Sequence, residues 1–266
     1  MKKLVLFTFI LFVSLSMAQQ NPQWHAVYQY KRVLNEKDKA RQDSLIKAQP
    51  AMAEFIKKIY KRMENKIYEL DFNRTESVFK EKPKLSVGKS SGFSGLRDRK
   101  LYKNIQTKIY KKTRSVPGQK YLVTDTLPDY KWQLTNETKK IGNFTAIKAI
   151  GTDPEVDAKD KKDKKATPDK ITAWFTPELP IGTGPQKYWG LPGLILELHA
   201  GKDVFVLTEI VSNPKEKAAI KEPKEGKVVS EKQFRKEMKQ FRENLKKRYK
   251  NRRGKSGSEK TIRITM

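Results

Sequence analysis

Apolar residues fall along this chain in three regimes. Leu4 to Leu15 is a nearly unbroken apolar run, and Ser44 to Met63 places Leu45, Met52, Phe55, Ile56, Ile59 and Met63 at helical spacing. Most of the remainder alternates with a period of two, the spacing that sends successive side chains to opposite faces of a sheet. Trp24 to Leu34, rich in aromatic and β-branched residues, reads as a first strand. Asn35 to Gln42 is charged, has no period and reads as a loop. Pro50 divides the helical stretch and suits the first turn of its main part, where a missing N–H costs nothing.

The strand-like runs that follow are Ile67 to Phe72, Ser77 to Phe79, Leu101 to Lys111, Lys120 to Thr124, Tyr130 to Leu134, Asn143 to Ile150 and Lys170 to Thr176, with the last two read as a pair. Turns are marked by Asn73-Arg74, Pro117-Gly118 and Pro128-Asp129, and Phe93 to Lys100 is a Gly/Ser loop. Leu194 to His199 and Val204 to Ile210 form the clearest hairpin, with Gly201-Lys202 as its two-residue turn. Pairing outward sets Leu198 opposite Phe205 and Leu196 opposite Leu207 on a core face, leaving Ile195, Glu197 and His199 on the other. Ser230 and Gln233 form a capping box and Val229 with Phe234 a hydrophobic staple, opening a helix whose stripe is Phe234, Met238, Phe241, Leu245 and Tyr249, with Gly254 as its stop. The fold class expected is α+β, mainly β. One long, curved, half-barrel-like antiparallel sheet is covered by a helix near the N-terminus and by a long amphipathic C-terminal helix.

Lys2 and Lys3, the apolar run and Ser16-Met17-Ala18 have the three parts of a secretory signal, so residues 1–18 are expected to be removed on export, leaving one β-rich domain at 19–254. No cysteine follows the run to take a lipid, and no later stretch is long and apolar enough for a spanning helix. The chain holds 58 Lys+Arg against 30 Asp+Glu, a net +28 that becomes +26 once Lys2 and Lys3 leave with the signal. Residues 152–169 form a charged, low-complexity loop expected to be flexible, and 255–266 a mobile tail. From Asn213 onward there are 19 basic and 7 acidic residues. Such an excess reads either as a solvated surface or as an attraction for polyanions; export makes nucleic acid the least suitable of these, leaving lipid, lipopolysaccharide or an outer-membrane protein as candidate partners. The absence of cysteine excludes disulfides, thiolate metal sites and cysteine nucleophiles.

Ala173-Trp174-Phe175-Thr176-Pro177-Glu178-Leu179-Pro180, then Gly184-Pro185 and Tyr188 to Leu198 (YWGLPGLILEL), resembles the GLPGLI family, named for the string at Gly190 to Ile195. Leu70 to Phe79, Trp132, Lys139 to Gly142, Lys148-Ala149 and the Pro223 to Gly226 turn fit the same pattern in order. Where many relatives carry a cysteine, this chain has Ala146. The resemblance implies an exported protein of the Bacteroidota type, with no function assigned to the family and no catalytic residues to transfer.

The motif has two readings. As architecture, Gly182, Gly184, Gly190 and Gly193 allow backbone angles closed to other residues while Pro180, Pro185 and Pro192 fix φ, with Trp174 and Trp189 packed beneath. As a binding loop, Trp174, Gly184, Pro185, Tyr188, Trp189, Gly190, Leu191, Pro192 and Gly193 would present aromatic surface to a sugar, lipid or peptide. His25 and His199 are the only histidines; Glu197 with His199 is half of a metal site without a third ligand nearby, so no metal, cofactor or catalytic residue is assigned. No nucleophile or zinc-binding motif occurs. The favoured expectation is a non-enzymatic binding or carrier protein for an apolar or anionic envelope ligand or an outer-membrane partner, its open sheet resembling in outline the periplasmic lipoprotein carriers and able to hold an apolar ligand on its concave face. The alternatives are a hydrolase with carboxylates converging in a cleft and a scaffold presenting the Tyr188 to Pro192 loop to a protein.

Overall fold

The computed structural model describes residues 22–82, 100–116, 118–152, 154, 170–216 and 218–256. Residues 1–21, nearly all of the Gly/Ser loop and of the charged loop, and residues 257–266 of the expected tail lie outside them. The described chain forms twelve strands: β1 Trp24–Arg32, β2 Asn65–Phe72, β3 Glu76–Glu81, β4 Leu101–Asn104, β5 Ile109–Val116, β6 Gln119–Thr126, β7 Gln133–Ile141, β8 Phe144–Thr152, β9 Lys170–Thr176, β10 Leu194–Ala200, β11 Asp203–Ser212 and β12 Lys227–Val229. Its helices are α1 Glu36–Ala48, α2 Ala53–Glu64 and α3 Glu231–Ser256. All strands join one open sheet in the order β12-β6-β5-β4-β3-β2-β1-β11-β10-β9-β8-β7. Every pairing is antiparallel except β12 with β6, which is parallel because a long return segment delivers β12 to the edge.

Chain length forces this sheet to curl. β6 and β7 stand ten places apart in the sheet, roughly 48 Å if it were flat. Only Leu127 to Trp132 connects them, a stretch that spans at most about 25 Å from strand end to strand start. The two ends of the sheet must therefore approach, with the connection crossing between them. Tyr28, Leu70, Phe72, Phe79, Ile171, Phe175, Leu194, Leu196, Leu198 and Phe205 fill the inner face. Tyr68 stacks on Phe79 at 4.9 Å, and Phe205 meets both rings edge-on. The outer face carries ion pairs, such as Lys80 with Asp71 and with Glu69.

The β10–β11 hairpin pairs as its turn chemistry requires, Leu198 opposite Phe205 and Ala200 opposite Asp203, with Gly201 at φ 57°. Ile195 departs from the simple alternation. A bulge opposite β9 lies between Ile195 and Glu197, so Ile195 pairs with Phe175 and is buried beside Leu196 instead of facing out with Glu197. The run expected as one strand from Leu101 to Lys111 is two, because Asn104 folds it back by accepting the Gln106 and Thr107 N–H groups while Lys108 takes φ 58°.

Asn35 to Gln42 is helical rather than a loop. Asn35 caps α1 by accepting the Asp38 N–H, and the Asp38 carboxylate accepts the Asn35 N–H in return. Pro50 opens a single 3-10 turn between α1 and α2. This helical hairpin sits at one end of the strands instead of covering the sheet: α1 buries no residue, and Val33 and Lys202 tie it beside the β10–β11 turn. The capping box and staple of α3 are present, with Ser230 and Gln233 exchanging bonds and Phe234 packed against Tyr121, Val123 and Val229. Along it Phe234, Met238 and Phe241 are half-buried. The helix continues past Gly254 to Ser256.

Candidate functional site

Pro177 to Gly193, between β9 and β10, is long for a connection with no regular structure, and such segments in compact domains usually carry function or form a compact Ω-like loop. Here the backbone closes on itself. Gly190 N–H donates to Gly182, Leu194 N–H to Leu179 and Ile195 N–H to Thr183, at 3.0 to 3.1 Å.

The loop lies across the inner face and reaches β3 and β4. Lys103 of β4 is fully buried, and its Nζ donates to the carbonyl oxygens of Gly184 at 2.6 Å and Tyr188 at 3.1 Å. Ser77, paired with Lys103 across β3 and β4, shares a 3.2 Å hydroxyl contact with Thr183. A position on Gly184 corresponding to a Cβ would also lie 2.7 Å from Ile195 Cβ. One loop residue thus touches strands five places apart, which the curl alone makes possible. Burial pushes the Lys103 ammonium down to about 7, since its partners are neutral carbonyls and not a carboxylate.

The Leu127 to Trp132 crossing clamps the loop from the other side. Tyr188 stacks on buried Tyr130 at 4.9 Å. Trp189 Nε1–H donates to Pro128 O, and Trp132 Nε1–H donates to Trp189 O, both at 2.8 Å. Pro185 and Leu191 are buried, whereas Gly190 and Pro192 are exposed. Of the four motif glycines only Gly190 has a positive φ, 89°. Gly182, Gly184 and Gly193 are needed because there is no room: a Cβ on Gly193 would lie 2.0 Å from Thr176 O, and one on Gly182 2.7 Å from Leu191 O. Lys103, Ser77, Tyr130 and Trp132 complete the arrangement; of these Ser77 and Trp132 lie in stretches that fit the family pattern, and Lys103 and Tyr130 carry no such signal.

Trp174 stands apart from the loop. Its β9 neighbours Ala173 and Phe175 are in the core, while Trp174 lies on the opposite face with Lys139 Nζ 4.3 Å from its ring centre. There Glu197 accepts from Lys139 at 2.7 Å and lies 2.6 Å from His199 Nε2. Burial pushes the Glu197 carboxyl up, but Lys139 and His199 outweigh it and hold it below its ordinary value. The third group at this half-site is a cation rather than a ligand. His25 has similar company on β1, with Nδ1 2.6 Å from the buried Asp71 carboxylate, which also accepts from Lys80. Among the described residues no three His, Asp or Glu side chains are grouped to hold a metal, and no helix is long and apolar enough to cross a membrane.

No curated protein matches the chain. Two solved structures of PNGF-II, in space groups C2 and P21, resemble it with 12% identity and TM-scores of 0.49 and 0.47. They cover 81% and 80% of this chain, which spans about a third of theirs, 32% and 33%. Residues 132–197, the stretch from Trp132 through the loop to Glu197, match a family model described as "Protein of unknown function (Porph_ging)".

Proposed function

We propose that this chain is an exported, non-enzymatic binding protein of the cell envelope that meets an anionic ligand or surface on its exterior. The leader features at residues 1–18 and the GLPGLI-type motif support the compartment. One observation carries the mode of binding. Two open depressions, of about 520 and 680 Å³, are lined respectively by Lys57, Lys58 and Lys61 with Glu54 and Phe55, and by Lys100, Lys120, Lys221 and Lys224 with Glu222 and Glu225, so lysines outnumber carboxylates in each. The inner face, where a carrier would hold an apolar ligand, is instead occupied by the chain's own Tyr130, Ile181, Tyr188 and Leu191. A lysine-lined exterior on a chain of net charge +28 favours an anionic surface over an apolar guest.

The hydrolase alternative draws less support, because Asp71 and Glu197 are each neutralised by a lysine and lie on separate strands. Retention of the purified mature protein on envelope isolated from its producing cells tests the reading. Elution at rising salt is expected, as screening predicts; failure to be retained at low salt would overturn it.

A further inference from the structure

Of the six apolar residues at helical spacing between Ser44 and Met63, Leu45, Met52 and Phe55 are exposed. Phe55 is 57% exposed, Met52 45% and Leu45 39%, and Val33 just before the hairpin is 51% exposed. These four are half of the large apolar side chains exposed among the described residues, and they fall within one 23-residue stretch at one end of the sheet. Scattered exposed leucines need no explanation, but apolar side chains concentrated on one appendage mark an interaction surface. Among the described side chains of α2, Ala53, Ile56 and Tyr60 are partly buried, and the helix contacts β1 and β2 where the end of β1 lies beside the start of β2, while Met52 and Phe55 are exposed.

The surroundings of Phe55 say what the surface fits. Its depression is lined by Lys57, Lys58 and Lys61, with one carboxylate, Glu54, paired to Lys57 at 2.9 Å. An aromatic side chain flanked by cations on a highly amphipathic helix is the arrangement that lies in a lipid interface, with the ring among acyl chains and the ammonium groups among anionic headgroups. A protein partner would use the apolar residues as well, but nothing else here distinguishes one, whereas the lysine excess complements an anionic bilayer directly.

We propose that the α1–α2 hairpin is a membrane-surface anchor, docking on anionic lipid through Met52 and Phe55 with Lys57, Lys58 and Lys61 around them. This rests on the exterior anion-binding reading and sharpens it to one surface. The test is sedimentation of the purified mature protein with vesicles of phosphatidylglycerol mixed with phosphatidylcholine, and with phosphatidylcholine alone. Binding is expected to the mixed vesicles only, to fall with salt, and to weaken about tenfold in a Met52→Ser/Phe55→Ser double variant. The thermal melt of that variant should be unchanged, because both side chains are exposed in the free protein.

Equal binding by variant and wild type would overturn the anchor while leaving the anionic reading intact. Equal binding to both vesicle types would overturn the role of the lysines, and with it the proposal. No vesicle binding at all would also overturn it, and retention on isolated envelope then decides the broader reading separately.

Discussion

Lys103 donates its ammonium to the carbonyl oxygen of Gly184, joining the fourth strand to a loop residue 81 positions later. That bond crosses the inside of the sheet. It replaces the carboxylate that a buried lysine usually finds with two backbone carbonyls, and it holds the loop where the curl brings β4 and β10 together.

The lysine makes stability depend on pH in a defined direction. Its value of about 7 in the folded chain lies below 10.5, its ordinary value, so between these limits the unfolded chain binds more protons and stability rises with pH. Lys103→Met lacks this term. The stability of wild type relative to Lys103→Met, from denaturant titrations, should climb between pH 7.5 and 9.5 (pH chosen within about that window) by up to about 1.4 kcal/mol per unit. Parallel pH curves would contradict a buried, displaced ammonium.

On the neighbouring strand β5, Lys112 pairs with Glu231 and so fixes the first turn of α3. Burial raises the Glu231 carboxyl, but Lys112, Arg235 and Lys187 outweigh that and hold it at about 2. Burial also lowers Lys112, so the two partners oppose each other; the carboxylate's direction prevails, since it has three cations against one buried side chain. A lowered carboxyl contributes stability that is complete above 4.5 and is lost as pH falls from there toward 2. Glu231→Gln should flatten that part of the acid unfolding curve, followed by circular dichroism.

Trp189 and Trp132 form a relay onto the β6–β7 crossing. Trp189→Phe leaves Pro128 O without its indole donor, and Trp132→Phe does the same to Trp189 O. Each should cost about 1–3 kcal/mol. The double variant should cost less than the sum, because both bonds clamp the same segment. Strict additivity in a double-mutant cycle would show that loop and crossing are not coupled.

Tyr28 links β1 to the bulge. Its hydroxyl donates to Ile195 O at 2.7 Å in a fully buried setting. Burial raises the phenol far above its ordinary value, so it stays protonated as a donor. Tyr28→Phe should destabilise by about 1–3 kcal/mol without changing the secondary structure seen by circular dichroism.

Much of the sheet was legible because its signals are local. Gly201-Lys202 fixes the hairpin register, and the Ser230–Gln233 box opens α3 where the sequence places it. Elements without local punctuation were missed. α1 carries charge but no apolar period, and is held by the Asn35 cap; the Asn104 to Lys108 turn has no glycine or proline. The site was half legible. The loop announces itself through its glycines and prolines, but nothing marks Lys103 as buried, since a lysine in an alternating strand reads as outward. Its partners are remote in sequence, and the curl that unites them is set by the length of the β6–β7 crossing. In the sequence the four glycines signal backbone freedom, whereas in the fold three of them are needed for their missing Cβ.

The central structural claim is that the loop is packed into the sheet so closely that its shape is fixed. Gly193 tests this most directly, because an added Cβ would meet the fixed Thr176 carbonyl oxygen at 2.0 Å, whereas at Gly190 the nearest atom is 3.9 Å away and only the φ of 89° is strained. In thermal melts Gly190→Ala should lose a few degrees, corresponding to about 1 kcal/mol. Gly193→Ala should lose about 6–12 °C or fail to fold cooperatively, as overpacking by about 3 kcal/mol implies. A Gly193→Ala melt that coincides with wild type would contradict the account.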